Sequence, residues 1–177
     1  MSMEKRIRFI LNRKTTARYF WRLRCKALDS KFGFFREYHK YRYMSLLQKF
    51  GAFIPLAAEI SDCPVLPHGL NGVFISQGAK IGKNATIFHH VTIGSNTLPD
   101  SKGFGIPVIK DNVYIGAGAK IIGAVTIGNN VRIGANAVVV NDVPDNSTVV
   151  LAESRVIIHK NPPDNSSADY NDAVQSE

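Results

Sequence analysis

An aliphatic residue recurs at every sixth position through the middle of this chain, and that period limits what the chain can fold into. A smaller apolar residue follows four positions after nearly every member of the series, from Ala79 to Val143. A fixed short period is typical of a solenoid, in which each unit buries its apolar face only against its neighbours. The series is interrupted once and consists of Ile75, Ile81, Ile87, Ile93, Ile109, Ile115, Ile121, Ile127, Ile133 and Val139.

The period also predicts the geometry of each unit. In the triplet Val113, Tyr114 and Ile115, the outer two residues point inward from a short strand and the middle one points outward. Gly and Asn between such triplets tolerate the positive φ that a sharp corner requires. One unit is therefore a strand plus a corner, and three units predict a triangular coil of roughly 18 residues. A sandwich of short strands would show irregular spacing instead.

These repeats resemble a known family. The units Ile81–Thr86 and Ile127–Arg132 are similar to the hexapeptide repeat of the left-handed β-helix acyltransferases. Residues 63–158 resemble the serine O-acetyltransferase-like branch, which includes polysaccharide O-acetyltransferases, through Pro67-His68-Gly69, the Val-Thr-Ile-Gly at 91–94, the Ile-Gly-Ala-Gly-Ala-Lys at 115–120 and the ending around Arg155. The resemblance implies a left-handed parallel β-helix, acetyl-CoA as cosubstrate, and a homotrimer with active sites between subunits.

Three segments are predicted along the chain. A basic helical segment covers 1–59, the β-helix covers 60–158, and a flexible tail covers 159–177. Prolines at 55, 64 and 67 mark the entry into the first coil. A loop rich in Gly, Pro and Ser interrupts the hexads at 95–107, and we expect it to overhang a neighbouring subunit and help to wall the site.

The positive charge lies in the helical segment. The chain has a formal charge of +8, and residues 1–50 hold 14 Lys and Arg against three acids. A basic, aromatic, amphipathic segment can cap the coil, contact anionic lipid, or bind nucleic acid. Capping is favoured, membrane contact can accompany it, and no base-reading module supports nucleic acid. With no apolar run of about 18 residues and no secretory signal, a cytoplasmic location is expected, with association at the inner membrane face as a further hypothesis.

His68 is the first candidate for chemistry. It is expected at an outward strand position between Pro67 and Gly69, where small neighbours leave room for a substrate. By the resemblance, His68 is the general base that removes the proton of a hydroxyl acceptor, a task suited to imidazole at neutral pH. Asp62 and Glu59 are candidates for a carboxylate that orients it. Neither Cys25, in the helical region, nor Cys63, expected at an inward position of the first hexad, is placed as a nucleophile.

His89 and His90 form the second candidate group, at a corner shortly before the loop. They could orient the acceptor, replace the base, or only decorate a turn at a subunit boundary. A histidine pair can also bind metal, but no Cys or acidic residue lies at ligand spacing, so no metal is expected.

The cosubstrate site is predicted from stacking. Ala117 and Ala135 occupy equivalent corners in successive turns of the coil, and two small residues in register leave a shallow groove. The resemblance implies that the pantetheine arm lies there, although Ala also suits any tight corner. Lys120 and Arg155 are candidates for contacts to the nucleotide phosphates. The Leu-Ala-Glu-Ser at 151–154 departs from the family's Gly-Val-Pro-Ala before that arginine.

Other departures bear on the acceptor. Ile106 stands where serine acetyltransferases have a second active-site histidine, and Pro67 stands where they have an aspartate. The sequence therefore predicts an acetyl-CoA-dependent O-acetyltransferase acting on a sugar hydroxyl of a bacterial surface polysaccharide or its lipid-linked precursor. Serine O-acetyltransferase is the alternative, and a non-catalytic scaffold or binding solenoid is an alternative of another class.

Overall fold

Two helices precede the coil. The computed structural model describes residues 13–152 and their side chains from Thr16 onward. Helix α1 (Arg13–Asp29) and helix α2 (Gly33–Lys49) pack against each other and lie in the segment predicted to be helical. Their inward side chains, including Phe20, Leu23 and Tyr43, join the core cluster of the coil. None of the helices in residues 13–152 has the length and apolar character needed to cross a bilayer.

Short parallel strands form the three walls of a prism. The strand order is β1-β3-β6-β9 in the first sheet, β12-β10-β7-β4 in the second and β11-β8-β5-β2 in the third. From β2 to β11, each wall therefore takes every third strand of the chain, which confirms the triangular coil predicted from the period. The strands are β1 (Glu59–Ile60), β2 (Phe74–Ile75), β3 (Lys80–Ile81), β4 (Thr86–Ile87), β5 (Thr92–Gly94), β6 (Val108–Ile109), β7 (Tyr114–Ile115), β8 (Lys120–Ile122), β9 (Thr126–Ile127), β10 (Arg132–Ile133), β11 (Val138–Val139) and β12 (Thr148–Val149).

The hexad residues fill the prism. The nine isoleucines from Ile75 to Ile133 in the predicted series are at most 2% exposed, and Val139 is 5% exposed. The smaller series from Ala79 to Val143 is buried beside them. Burial of one such aliphatic side chain stabilises the fold by about 1.5–3 kcal/mol, so this stack is the main source of stability.

The register shows where the coil departs from its period. Successive coils place partner residues 18 apart, as in Asn112 and Asn130, and 28 apart where the loop is inserted, as in Asn84 and Asn112. In the first coil the offset is 21, since Val65 is bridged to Thr86. The three additional residues fall in the turn at 67–72, because Phe74 already pairs with Thr92 at the regular spacing.

One corner is built from stacked asparagines. The Nδ2 of each residue donates a hydrogen bond to the Oδ1 of the next, at 2.9–3.2 Å. All have φ between 55° and 60°, a conformation that Asn adopts at less cost than most residues. The ladder links four coils and consists of Asn84, Asn112, Asn130 and Asn146.

Single specific contacts fasten the helices to the coil entry. The indole Nε1 of Trp21 donates to the carbonyl of Pro64 at 3.1 Å. The buried guanidinium of Arg24 donates to the carbonyls of Leu56 and Ala58. The hydroxyl of Tyr43 donates to the carbonyl of Ile54. Burial raises the pKa of this hydroxyl well above the ordinary range. The helical segment therefore caps the first coil.

One local expectation was wrong, and the loop has a defined fold. Cys63 is exposed and does not occupy an inward position, because the chain bends at 61–62 before Pro64 and the longer first coil shifts the hexad register. The loop at 95–107 folds back within its own chain: Asn96 and Gly105 exchange two backbone hydrogen bonds, and Ala124 donates its N–H to Gly103.

Candidate active site

A cleft containing three histidines lies where the helices meet the coil. Its volume is about 550 Å³. We call it the histidine cleft, and its lining consists of Phe50, Gly51, His68, Asn71, Gly72, His89 and His90. Phe50 and Gly51 follow the end of α2, so the helical segment supplies one wall.

The turn at 67–72 presents His68. Backbone hydrogen bonds from Gly69 to Leu66 and from Val73 to Leu70 close the turn, and the amide of Asn71 donates to the carbonyl of His68 at 3.0 Å. The prediction of an outward strand position was wrong in its secondary structure, because the three additional residues of the first coil replace a strand with this turn. The half-buried side chain nevertheless faces the cleft and not the prism interior.

His68 and His89 are hydrogen-bonded to each other. Their Nδ1 atoms are 2.7 Å apart and their ring centroids 4.7 Å apart. The expectation of a carboxylate partner was wrong for both candidates. Glu59 pairs with Lys80 at 3.2 Å, and Asp62 accepts the backbone N–H of Cys63. An imidazole therefore occupies the place at which a carboxylate was expected.

His90 adopts an unusual backbone conformation beside this pair. Its φ is +57°, in a region that costs a residue with a Cβ about 1–2 kcal/mol. The ring of His90 packs over Gly72, where any Cβ would collide with the imidazole, and Gly72 itself has a φ of +60°. The exposed His90 ring is thus directed by the corner into the space beside His89, with their ring centroids 5.3 Å apart.

A second depression continues from the other side of the histidines. Its volume is about 420 Å³, and it contains both alanines predicted to stack. The carbonyl of Ala117 accepts the N–H of Asn136 at 2.8 Å, which holds the two corners in register. We call it the alanine groove, and it is lined by His89, His90, Ala117, Gly118, Lys120, Ala135 and Asn136.

Lys120 marks the histidine end of the alanine groove. Its Nζ donates to the carbonyl of His90 at 2.7 Å, which places a positive charge at the junction of the two depressions. Its predicted contact with phosphate stays a prediction. Arg155, the other phosphate candidate, lies outside the described residues.

The two depressions share His89 and His90 as walls. The structure therefore brings together His68, His89, His90, Ala117, Ala135 and Lys120 along one continuous surface. The lining of both depressions comes from outside the loop at 95–107, so the predicted role of that loop in a neighbouring copy stays a prediction. Within residues 13–152, no three His, Cys, Asp or Glu side chains converge as metal ligands.

Four residues of the histidine cleft were missed at the sequence level: Phe50, Gly51, Asn71 and Gly72. Asn71 and Gly72 belong to a turn that the regular period does not predict, and Phe50 reaches the cleft only because α2 packs on the first coil. One signal was available for Gly72. It begins the corner series Gly72, His90, Gly118 and Asn136, in which every residue has positive φ.

The chain is similar to proteins of known family. Residues 106–141 match the family described as bacterial transferase hexapeptide (six repeats). A serine acetyltransferase of Helicobacter pylori is 40% identical over 92 residues, which cover 51% of this chain and 52% of the relative. One from Bacillus subtilis is 37% identical over 87 residues, covering 48% and 39%. The chain spans about half the length, or less, of these curated relatives.

Solved structures extend the similarity beyond the coil. A serine acetyltransferase of Neisseria gonorrhoeae in complex with serine has a TM-score of 0.62 at 31% identity, over 81% of this chain and 56% of that one. A serine acetyltransferase of Brucella abortus in complex with coenzyme A has a TM-score of 0.63 at 30% identity, over 82% and 56%. Residues 106–141 thus match the repeat of the hexapeptide transferases, and the chain resembles the serine acetyltransferase-like branch. Its coil is the left-handed parallel β-helix predicted from the sequence.

Proposed function

We propose that this protein is an O-acetyltransferase that uses acetyl-CoA as donor. The observation that carries the proposal is the shared wall of the two depressions. A hydroxyl acceptor in the histidine cleft and a thioester arm in the alanine groove would meet at His89 and His90. Serine acetyltransferases bound to serine and to coenzyme A are similar in fold and sequence, which supports the same division between acceptor and donor.

The proposed reaction is a direct transfer. His68 Nε2, the ring nitrogen not engaged by His89, takes the hydroxyl proton as the acceptor oxygen attacks the thioester carbon. A new C–O bond forms, the C–S bond then breaks, and the imidazolium returns its proton to the leaving thiolate. Holding both substrates within reach supplies part of the rate advantage over the reaction in solution. Neither cysteine lines the histidine cleft or the alanine groove, so no covalent acyl-enzyme is invoked.

Serine is the acceptor that the relatives support best, ahead of the sugar hydroxyl expected from the sequence. Each of the relatives and structures described above is a serine acetyltransferase. On this proposal the product belongs to cysteine biosynthesis, and polysaccharide modification is not required.

A sugar hydroxyl remains the second candidate because of the lining of the histidine cleft. Within the described residues, that lining contains no Asp, Glu, Lys or Arg to pair with the ammonium and carboxylate of serine. Phe50 offers an aromatic wall, and Asn71 offers an amide to a neutral polyol.

We also propose a homotrimer. Phe74 and Val138 project outward from the two edge strands of the third sheet and are 44% and 62% exposed, so a second copy could cover these apolar side chains and the Thr92 and Lys120 between them. In a trimer of this kind, the loop at 95–107 of one copy would reach the site of the next. Light scattering after size exclusion tests this directly, with three times the 19.5 kDa chain mass expected.

Peripheral contact with the inner membrane face is a further part of the proposal. The outward face of α2 carries Phe34, Tyr38 and Tyr41, which are 81%, 47% and 70% exposed. Arg42 and Lys49 flank these rings on the same helix. Aromatic rings between basic side chains suit the interface of an anionic bilayer.

Transfer assays with competing acceptors test the function. Purified protein is given acetyl-CoA with serine, with neutral hexoses, or with both, and release of the free thiol is followed. We expect transfer to serine, and His68→Ala should lower kcat about 10²- to 10⁴-fold while the chain still binds coenzyme A. Transfer only to hexoses would replace serine with the second candidate. Full activity of His68→Ala would overturn the assignment of the base, and absence of coenzyme A binding would favour the scaffold alternative.

A further inference from the structure

We propose that His89 is the positioning residue of His68, in the place of a carboxylate. The inference deepens the proposed function and rests on it. His89 would accept a hydrogen bond from the Nδ1–H of His68, fix the orientation of that ring, and stabilise the imidazolium that forms when Nε2 takes a proton.

The distance itself requires the two rings to share one proton. Two Nδ1 atoms at 2.7 Å form a hydrogen bond only when one carries hydrogen and the other presents a lone pair. If both rings were doubly protonated, two N–H groups would face each other. If neither Nδ1 carried hydrogen, two lone pairs would face each other and repel. The structure therefore specifies one donor and one acceptor.

The proposed base role requires His68 to be the donor. With its hydrogen on Nδ1, His68 has a lone pair on Nε2 and can act as a base towards the cleft. The opposite arrangement would leave hydrogen on Nε2 of His68 and remove that capacity. The edge of the Phe88 ring, whose centroid is 5.1 Å from that of His68, restricts rotation of the imidazole.

Charged groups near the pair do not replace His89 in this role. The Lys120 ammonium donates its hydrogen bond to the carbonyl of His90. Glu59 is paired with Lys80, and Asp62 accepts its neighbour's backbone N–H. Among the hydrogen bonds of His68, the side-chain contact is the one to His89.

The longer first coil explains why these two residues meet. Val65 is opposite Thr86 at an offset of 21, and the same offset places His68 opposite His89. At the regular offset of 18, His68 would lie opposite Thr86 instead. The three additional residues at 67–72 therefore create the contact.

Three substitutions at position 89 separate positioning from packing. Asn and Asp place an Oδ1 where His has its Nδ1, whereas Leu places a methyl group there. We expect His89→Leu to lower kcat about 10²-fold with little change in KM for acetyl-CoA, and His89→Asn to recover most of that loss. His89→Asp should move the acidic limb of the kcat/KM profile to higher pH by about one unit or more, because a carboxylate favours the imidazolium of His68. His90 and Lys120 also face this pair and stay unchanged.

A matched control is His39→Gln. His39 lies on α2 and lines neither depression, so its substitution should leave kcat and the pH profile unaltered. Equal losses in His89→Leu and His89→Asn, or normal kcat in His89→Leu, would overturn the proposal while leaving O-acetyl transfer intact.

A second measurement does not depend on activity. Two-dimensional ¹⁵N–¹H spectra of the imidazole rings report which nitrogen carries hydrogen. We expect His68 in the Nδ1–H form in the wild type and in the commoner Nε2–H form in His89→Leu. An Nε2–H ring at His68 in the wild type overturns the proposal even if no acceptor has been found. A wild type that shows the expected tautomer yet transfers no acetyl group would refute the proposed function instead.

Discussion

The helical segment and the coil differ in charge: the helical segment is strongly basic, and the coil is balanced. Residues 13–50 hold eleven Lys and Arg against two acids, whereas residues 51–152 hold six of each. The exposed aromatic side chains of α2 face away from its packed side, where Tyr43 and Leu47 are buried. In the coil, the isoleucines and the smaller aliphatic residues of the hexads point inward, and the corners carry Asn and Gly.

The difference shows two ways of specifying structure. The coil repeats one local structure, so each unit is stabilised by its contacts with the units on either side. The helical segment is held by buried side chains that no repeat specifies and by individual hydrogen bonds, such as that of Trp21 with Pro64. The outward face of the helical segment is not part of this packing, so its residues can serve a role other than folding.

The largest expected effect tests the coil interior. Ile115 is fully buried between strands of the preceding and following coils. Ile115→Ala should lower the free energy of unfolding by about 2–5 kcal/mol, because a cavity opens in a stack that cannot collapse. Denaturant titration measures the loss. Thr148→Ala, at an exposed position on β12, is the control and should change stability by less than about 0.5 kcal/mol. Equal losses at the two sites would contradict the description of a single stacked core.

The next effect tests the surface of α2. The double variant Phe34→Ser, Tyr41→Ser should bind vesicles of phosphatidylcholine with phosphatidylglycerol about 30-fold more weakly than the wild type, or ~2 kcal/mol. Co-sedimentation measures this, and vesicles of phosphatidylcholine alone should bind both proteins poorly. Phe104→Ser, in the loop, is the matched control at 55% exposure. If the double variant instead changes only the oligomeric mass, the face contacts another copy of the chain.

The asparagine corner predicts a smaller effect. Asn112→Ala removes two side-chain hydrogen bonds and forces alanine to a φ of 59°. We expect a loss of about 1–2 kcal/mol in thermal or denaturant unfolding. Asn112→Gly tolerates the backbone conformation and should lose less. Identical losses for the two variants would show that the ladder bonds, and not the backbone, dominate at this corner.

The smallest effect concerns pH. Asp145 is exposed and accepts hydrogen bonds from the side chain and backbone of Asn129, which, with Lys110 nearby, lower the pKa of the carboxyl group. A lowered pKa means that the carboxylate stabilises the fold above its unfolded pKa and that this contribution disappears as pH falls through the folded value. Asp145→Asn should therefore be slightly less stable than the wild type at neutral pH. The difference in melting temperature should shrink below about pH 4 and vanish once the pH is below the lowered pKa of Asp145. A difference that persists there would assign the effect to packing.

Most of the fold could be predicted because the hexads encode it locally. Burial of the isoleucine series and the 18-residue offset follow from strand geometry alone. The contact between His68 and His89 could not be predicted, because it depends on three additional residues in one coil. The same irregularity explains why Cys63 is exposed. Placing Phe50 in the cleft required knowing how α2 packs, which no repeat specifies.

The interruption at 95–107 lengthens one coil without disturbing its neighbours. Ile81 remains opposite Ile109, and Ile109 opposite Ile127, although the first pair is separated by ten more residues than the second. An insertion at a corner thus leaves the strand pairing of the walls unchanged, and the prism tolerates variation in loop length there. A relative of this chain could therefore carry a different loop at 95–107 while the alanine groove stayed in place.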